Sequence, residues 1–178
     1  MSQSGQVWTI GHSTRPIEEL IEALGTFEIT VVADVRSYPG SRRYPHFNRE
    51  QLMISLPVAG IEYQHFSELG GRRNARPDSQ NVAWQNKMFR GYADYMETEA
   101  FHAGIERLLD IAQVSRTAIM CAEAVWWRCH RSLISDYRKV RGVEVTHIMA
   151  AGKSEAHPFT SAARIVNGEL SYQGVLEI

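Results

Sequence analysis

The chain has 178 residues, 44% of them apolar, which suits one hydrophobic core and is short for two, so a single domain over 1–178 is expected. A net charge of −1 excludes a broadly basic coat that would hold nucleic acid without selectivity. Its apolar runs fall far below the roughly 20 residues a membrane helix needs; two cysteines make no disulfide framework and no signal-peptide pattern opens the chain, so reduced thiols in the cytoplasm are expected.

In chain order, Val7 to Ile10 reads as a short strand closed by Gly11, followed by His12-Ser13-Thr14 and a helix with Ile17, Leu20, Ile21 and Leu24 on one stripe. Thr14 or Arg15 is the expected cap, with Pro16 in the first turn. Thr30 to Val35 is a continuous β-branched run of the kind buried on both faces in a parallel sheet. The loop from Arg36 to His46 leads to Asn48, an expected cap with Gln51 in capping-box position and Phe47 placed to staple onto Leu52. Ile61 to Phe66 reads as the third strand. Leu69 to Met88 has no period and is long for a connection, the property of a lid or binding loop.

Helical pattern returns after Gly91, with a break and a new cap at Thr98. Thr117 to Cys121 is the fourth strand, a helix is expected from Cys129 to Gly142, and Val143 to Ile148 is the fifth strand. Arg164-Ile165-Val166 and Glu169 to Tyr172, joined by Asn167-Gly168, form a two-residue hairpin signal at the carboxyl end.

Alternating strands and helices specify an α/β, three-layer Rossmann-like fold with a mostly parallel sheet, expected in the order 3-2-1-4-5. Ligands then sit beyond the carboxyl ends of the strands. Those ends carry His12 and Ser13, Asp34 and Arg36, Arg72, and the stretch Cys121 to Ser132, with His147 after the fifth strand.

Cys129-His130-Arg131 at a helix start favours an anion or a thiolate, since unpaired N–H groups, the helix dipole, Arg128 and Arg131 all act on it. The alternative is a small buried cysteine beside an arginine that holds a carboxylate. Cys121 and Arg128 have six residues between them, so this is not a Cys-x5-Arg phosphatase loop. Glu123 is the acid placed for proton transfer, or an ion-pair partner of Arg36 or Arg131. Asp34 and Arg36 either share the cleft with Arg42 or form a lattice that fixes the loop. His12 is a candidate base, with Ser13 beside it as a cap or anion donor. Cys121, Cys129, His130 and His12 could converge on zinc, but no Cys-x2-Cys pair occurs, so metal is a minor reading. Trp126-Trp127 with Tyr38, Tyr44, Phe47 and Phe89 offers aromatic surface near the arginines, for stacking bases or as core.

Thr9-Ile10-Gly11-His12-Ser13-Thr14, Asp34-Val35-Arg36-Ser37 with Pro39 and Ser41-Arg42, Pro45-x-Phe47, Leu69-Gly70-Gly71, Phe89-x-Gly91-Tyr92-Ala93-x-Tyr95-Met96, and Cys121-Ala122-Glu123 leading into Cys129-His130-Arg131 run through nearly the whole chain. In these motifs the sequence resembles the DUF488 family of small bacterial and archaeal proteins. That family carries no assigned function, so the resemblance implies shared residues and no reaction or cofactor; the hairpin is its least familiar part. From the residues themselves, the first expectation is an enzyme on a phosphorylated, nucleotide or nucleic-acid-derived ligand. Cys129, Glu123 and His12 would carry its chemistry, and Ser13, Asp34, Arg36, Arg42, Arg72, Cys121, His130 and Arg131 would bind. The rivals are a non-catalytic nucleic-acid or nucleotide binding module and, less favoured, a thiol redox sensor using Cys121 and Cys129 or a metal-binding protein.

Overall fold

The computed structural model describes residues 5–174. Strand β1 (Gln6–Gly11) leads into helix α1 (Ile17–Thr26), β2 (Val31–Asp34), α2 (Arg49–Val58) and β3 (Glu62–His65). Helices α3 (Lys87–Tyr95) and α4 (Glu99–Val114) precede β4 (Thr117–Cys121), then α5 (Arg131–Val140), β5 (Glu144–Ala150), β6 (Lys153–Ala156) and the hairpin of β7 (Arg164–Val166) and β8 (Glu169–Ser171). No described helix is long and apolar enough to cross a membrane.

The sheet is parallel through its first five strands, and the α/β expectation holds. Its order is 3-2-4-1-5-6, with β4 seated between β2 and β1 where 3-2-1-4-5 was expected. Hydropathy could not distinguish these arrangements: β2 and β4 are buried throughout and β1 nearly so, so any of the three can occupy the centre. The sixth strand pairs antiparallel to β5 after a left-handed turn at Gly152. All four of its residues are exposed, and Lys-Ser-Glu-Ala carries no alternation that would announce it.

Alternation along the strands divides the core in two. Trp8, Ile10, Val32, Ala118 and Met120 pack with Leu20, Leu24, Leu52 and Leu56 of α1 and α2. Val7, Ala33, Ile119 and Cys121 pack with Tyr92, Phe101, Ile105, Leu133 and Ile134 of α3, α4 and α5. Connections from β1 and β2 therefore leave to one face and that from β4 to the other. Such a divergence opens a crevice at the carboxyl end of β4.

Several local expectations shift. Pro16 itself precedes α1, so neither Thr14 nor Arg15 caps it. Asn48 precedes α2, but its side-chain oxygen accepts the Ser41 backbone N–H and no capping box forms. Thr98 caps α4 through the Phe101 N–H as expected. The expected helix from Cys129 begins two residues later, at Arg131; Trp126–Arg128 is a 3-10 turn and Cys129 is extended.

Gly11 is required by a close approach. Past the end of β1 the chain keeps its pairing with β4, His12 N–H donating to Cys121 O at 2.9 Å and Ser13 N–H to Ala122 O at 2.9 Å. A Cβ on Gly11 would overlap the Glu123 carbonyl oxygen. Gly11→Ala is expected to cost about 3 kcal/mol in urea unfolding, whereas Gly25→Ala, which meets nothing within 4 Å in α1, is expected to stabilise by about 0.5–1 kcal/mol.

Candidate functional site

The crevice is a cavity of about 680 Å³ lined by His12, Ser13, Arg36, Arg72, Cys121, Glu123, Arg128, Cys129 and His130, with Tyr38, Tyr44 and Phe89 on its walls. Most of the residues picked from the strand ends thus meet there. Arg42 does not: it is exposed, and Ser41 and Tyr44 line the cavity on either side of it in sequence. Asp34 is fully buried behind the wall. Its carboxylate accepts the Arg36 Nε–H at 2.9 Å, the Arg36 Nη2 at 2.7 Å and the Tyr63 hydroxyl at 2.5 Å. The lattice alternative for this pair is what forms. Arg36 also donates to Phe47 O at 2.8 Å, and its other nitrogen, Nη1, lies 3.3 Å from His12 Nε2.

Both histidines have defined tautomers because each faces a carbonyl on one side. His12 Nδ1 donates to Ser13 O at 2.9 Å, leaving Nε2 as acceptor toward Arg36; burial lowers its pKa to about 4. His130 Nε2 donates to Val35 O at 2.9 Å, leaving Nδ1 as acceptor 3.5 Å from Cys129 Sγ; burial again lowers its pKa to about 4. Gly71 permits this seat, since a Cβ there would overlap the His130 ring.

The sulfurs reverse the expectation for Cys129. Burial pushes both thiols up, but they share a side-chain hydrogen bond, which with the Arg131 charge brings Cys121 below its ordinary value and leaves Cys129 well above. Cys129 lies ahead of α5 rather than within its first turn, and the Arg131 N–H that reaches its sulfur at 3.5 Å does not offset burial.

Arg131 is 1% exposed and does not line the cavity. Its Nη2 donates to Glu123 O at 3.0 Å and Ala124 O at 3.2 Å, holding the loop that carries Glu123, and its Nη1 donates to Thr9 Oγ1 at 3.4 Å. Thr9 then donates to His147 Nδ1 at 2.5 Å, His147 Nε2 to His157 Nδ1 at 2.8 Å, and His157 Nε2 to Asp136 at 2.8 Å. Every donor in this chain points from the buried cation to the buried carboxylate. Asp136 is completed by Thr160 and by the Tyr172 hydroxyl at 2.7 Å. Burial and the neighbouring His157 lower the His147 pKa to about 2.

Sequence reasoning missed His157, Asp136 and Thr160, which lie far apart and in no local motif. For the tryptophans it left base stacking and core packing open. Trp126 takes the core alternative, buried and stacked on His147 at 4.7 Å, and neither it nor Trp127 lines the cavity. The long segment after Leu69 is tied down by Asp94, which accepts from Arg76 N at 2.8 Å, Ser79 at 2.6 Å and Asn81 at 2.7 Å. Among the described residues no three metal-type side chains gather as ligands. His12 and His130 spend one nitrogen each on a carbonyl, and the other His12 nitrogen faces a guanidinium, so the zinc set does not assemble.

These histidines set an acid sensitivity. Their unfolded pKa lies near 6.5 and their folded values near 4 or below, so on acidification the unfolded chain takes up protons first. Stability is full above pH 6.5 and is lost as pH falls toward 4. His130→Gln should make that decline shallower by one proton, about 1.4 kcal/mol per pH unit, measured by urea unfolding across this range.

No curated protein and no solved structure matches the chain. The family model of DUF488, a domain of unknown function, matches residues 16–138, more than half of the sequence and the whole stretch from α1 to most of α5. The chain belongs to the DUF488 family.

Proposed function

We propose that the protein is a cytoplasmic enzyme acting on a phosphorylated ligand, nucleotide or nucleic-acid-derived, bound in the cavity at the end of β4. The observation that carries this reading is the charge of the lining: three arginines, Arg36, Arg72 and Arg128, against the single carboxylate of Glu123. Arg36 is neutralised by Asp34. Arg72 and Arg128 are exposed at the rim, the arrangement that suits a ligand with two or more negative oxygens. Tyr38, Tyr44 and Phe89 supply faces for a base or another flat group.

The chemistry is assigned to the cavity floor and mouth. Glu123, exposed on the loop that Arg131 holds, is the acid or base for a solvent-facing proton. His12, neutral at pH 7, presents Nε2 as an acceptor beside Arg36. Cys121, the thiol brought below its ordinary value, provides the nucleophile, and Ser13, in the left-handed region with φ 52°, turns the chain so that His12 and the helix α1 entrance face the ligand.

The test is a thermal-shift and binding series of nucleoside mono-, di- and triphosphates and short single-stranded oligonucleotides, each beside its dephosphorylated counterpart. Phosphate-bearing ligands should stabilise the chain, and Arg128→Ala should weaken them about 10-fold or more. Equal binding of nucleoside and nucleotide would remove the anion reading. Turnover of the best ligand, followed by mass spectrometry, should fall at least about 100-fold in Glu123→Gln and in Cys121→Ser. Tight, salt-sensitive binding with no turnover would make the protein a binding module instead.

A further inference from the structure

We infer that Cys121 and Cys129 form a redox-active dithiol, in which Cys121 attacks a small disulfide bearing anionic groups and Cys129 resolves the mixed disulfide. The anionic character of the substrate rests on the reading of the cavity given above; the exchange itself does not.

Four observations converge on it. Both cysteines line the same cavity, one at the end of β4 and one just ahead of α5, and their thiols interact with each other. The Arg131 guanidinium beside them takes part in no ion pair among the described residues. It donates only to a hydroxyl and two carbonyls, and its Nε, fully buried, has no partner at all. A buried cation in this state is short of a counter-charge, and a thiolate on the neighbouring sulfur supplies one. Finally, His130 Nδ1 is an acceptor 3.5 Å from Cys129 Sγ, held there by the Nε2 bond to Val35 O. A nucleophile acting on phosphorus has no use for a second sulfur in the same cavity; a disulfide exchange does.

The steps balance as follows. The Cys121 thiolate attacks one sulfur of R–S–S–R, the S–S bond breaks, and one R–S⁻ leaves and is protonated by solvent. The Cys129 S–H passes its proton to His130 Nδ1, and the resulting thiolate attacks the Cys121 sulfur, expelling the second R–S⁻, which takes up the proton that His130 releases. Counting the proton that Cys121 gives to solvent in forming its thiolate, the protein loses two electrons and two protons in forming its own disulfide, and the substrate is reduced to two thiols.

The probe is an aromatic disulfide with a carboxylate on each ring and a coloured thiol product, mixed anaerobically with the reduced, folded full chain. The wild type should release two coloured thiols per chain, the second at a rate independent of probe concentration, and finish two hydrogens lighter by intact mass. Cys129→Ser should release one and retain the probe on Cys121 by peptide mapping. Cys121→Ser should slow the first release at least about 100-fold, and His130→Gln should slow only the second. The inference is overturned if the probe is found first on Cys129, if the wild type ends with a probe on each cysteine, or if only urea-unfolded chain reacts. The peptide map of the wild type alone decides the order of attack should a variant not fold. A neutral analogue of the probe separates the two readings: equal rates with both probes, each ending in the internal disulfide, would retain the exchange and remove the anion preference.

Discussion

Arg131 is a full positive charge sealed where β1, β4 and α5 meet, and much of the architecture around the cavity answers its need for acceptors. Burying such a charge without close compensation costs several kcal/mol. The chain offsets this by turning the carbonyls of Glu123 and Ala124 back onto the guanidinium and by placing Thr9 of the central strand against its other nitrogen. Those contacts fix the loop between β4 and α5, which in turn fixes where Glu123 and both sulfurs sit. The carboxylate that completes the electrostatics, Asp136, lies one helical turn on along α5 and is reached only through Thr9 and two imidazoles. Because each intervening group is hydrogen-bonded to the next, the charges are coupled without being adjacent.

The fold class was legible because it rests on period and punctuation. Strands such as Thr117–Cys121 and the hairpin around Asn167-Gly168 coincide with what the apolar runs and turn residues specify. The order of the central strands was not, since β1, β2 and β4 are all apolar and short, and their neighbours are chosen by crossover packing that leaves no trace in one strand's composition. The carboxyl edge as the place of the site follows from topology and survived the change of order, because β4 moved within the same cluster of strand ends.

Individual roles were less legible, and for a consistent reason. Arg36 reads in sequence either as a ligand fork or as part of a lattice with Asp34, and the lattice that forms is completed by the Tyr63 hydroxyl of β3, which donates to Asp34. Cys129 looks like an activated thiol because a helix start and two arginines surround it in sequence, yet burial and the hydrogen bond with Cys121 decide otherwise. Asp94 and His157 carry no signal at all, since their side-chain partners are 10 to 21 residues away. Tertiary proximity, not local chemistry, sets each of these.

The central position of β1 bears on how the family's boundaries are drawn. The stretch matched by the family begins at residue 16, beyond β1, and ends at residue 138, ahead of β5. Yet β1 is hydrogen-bonded to β4 on one side and β5 on the other; it sets Thr9 against Arg131 and leads directly into His12 of the cavity lining. A fragment cut at the matched limits would strip β4 of one neighbour and leave Arg131 and Asp136 without the residues that connect them. The stretch that the family model matches and the hydrogen-bonded sheet are therefore different lengths of the same chain.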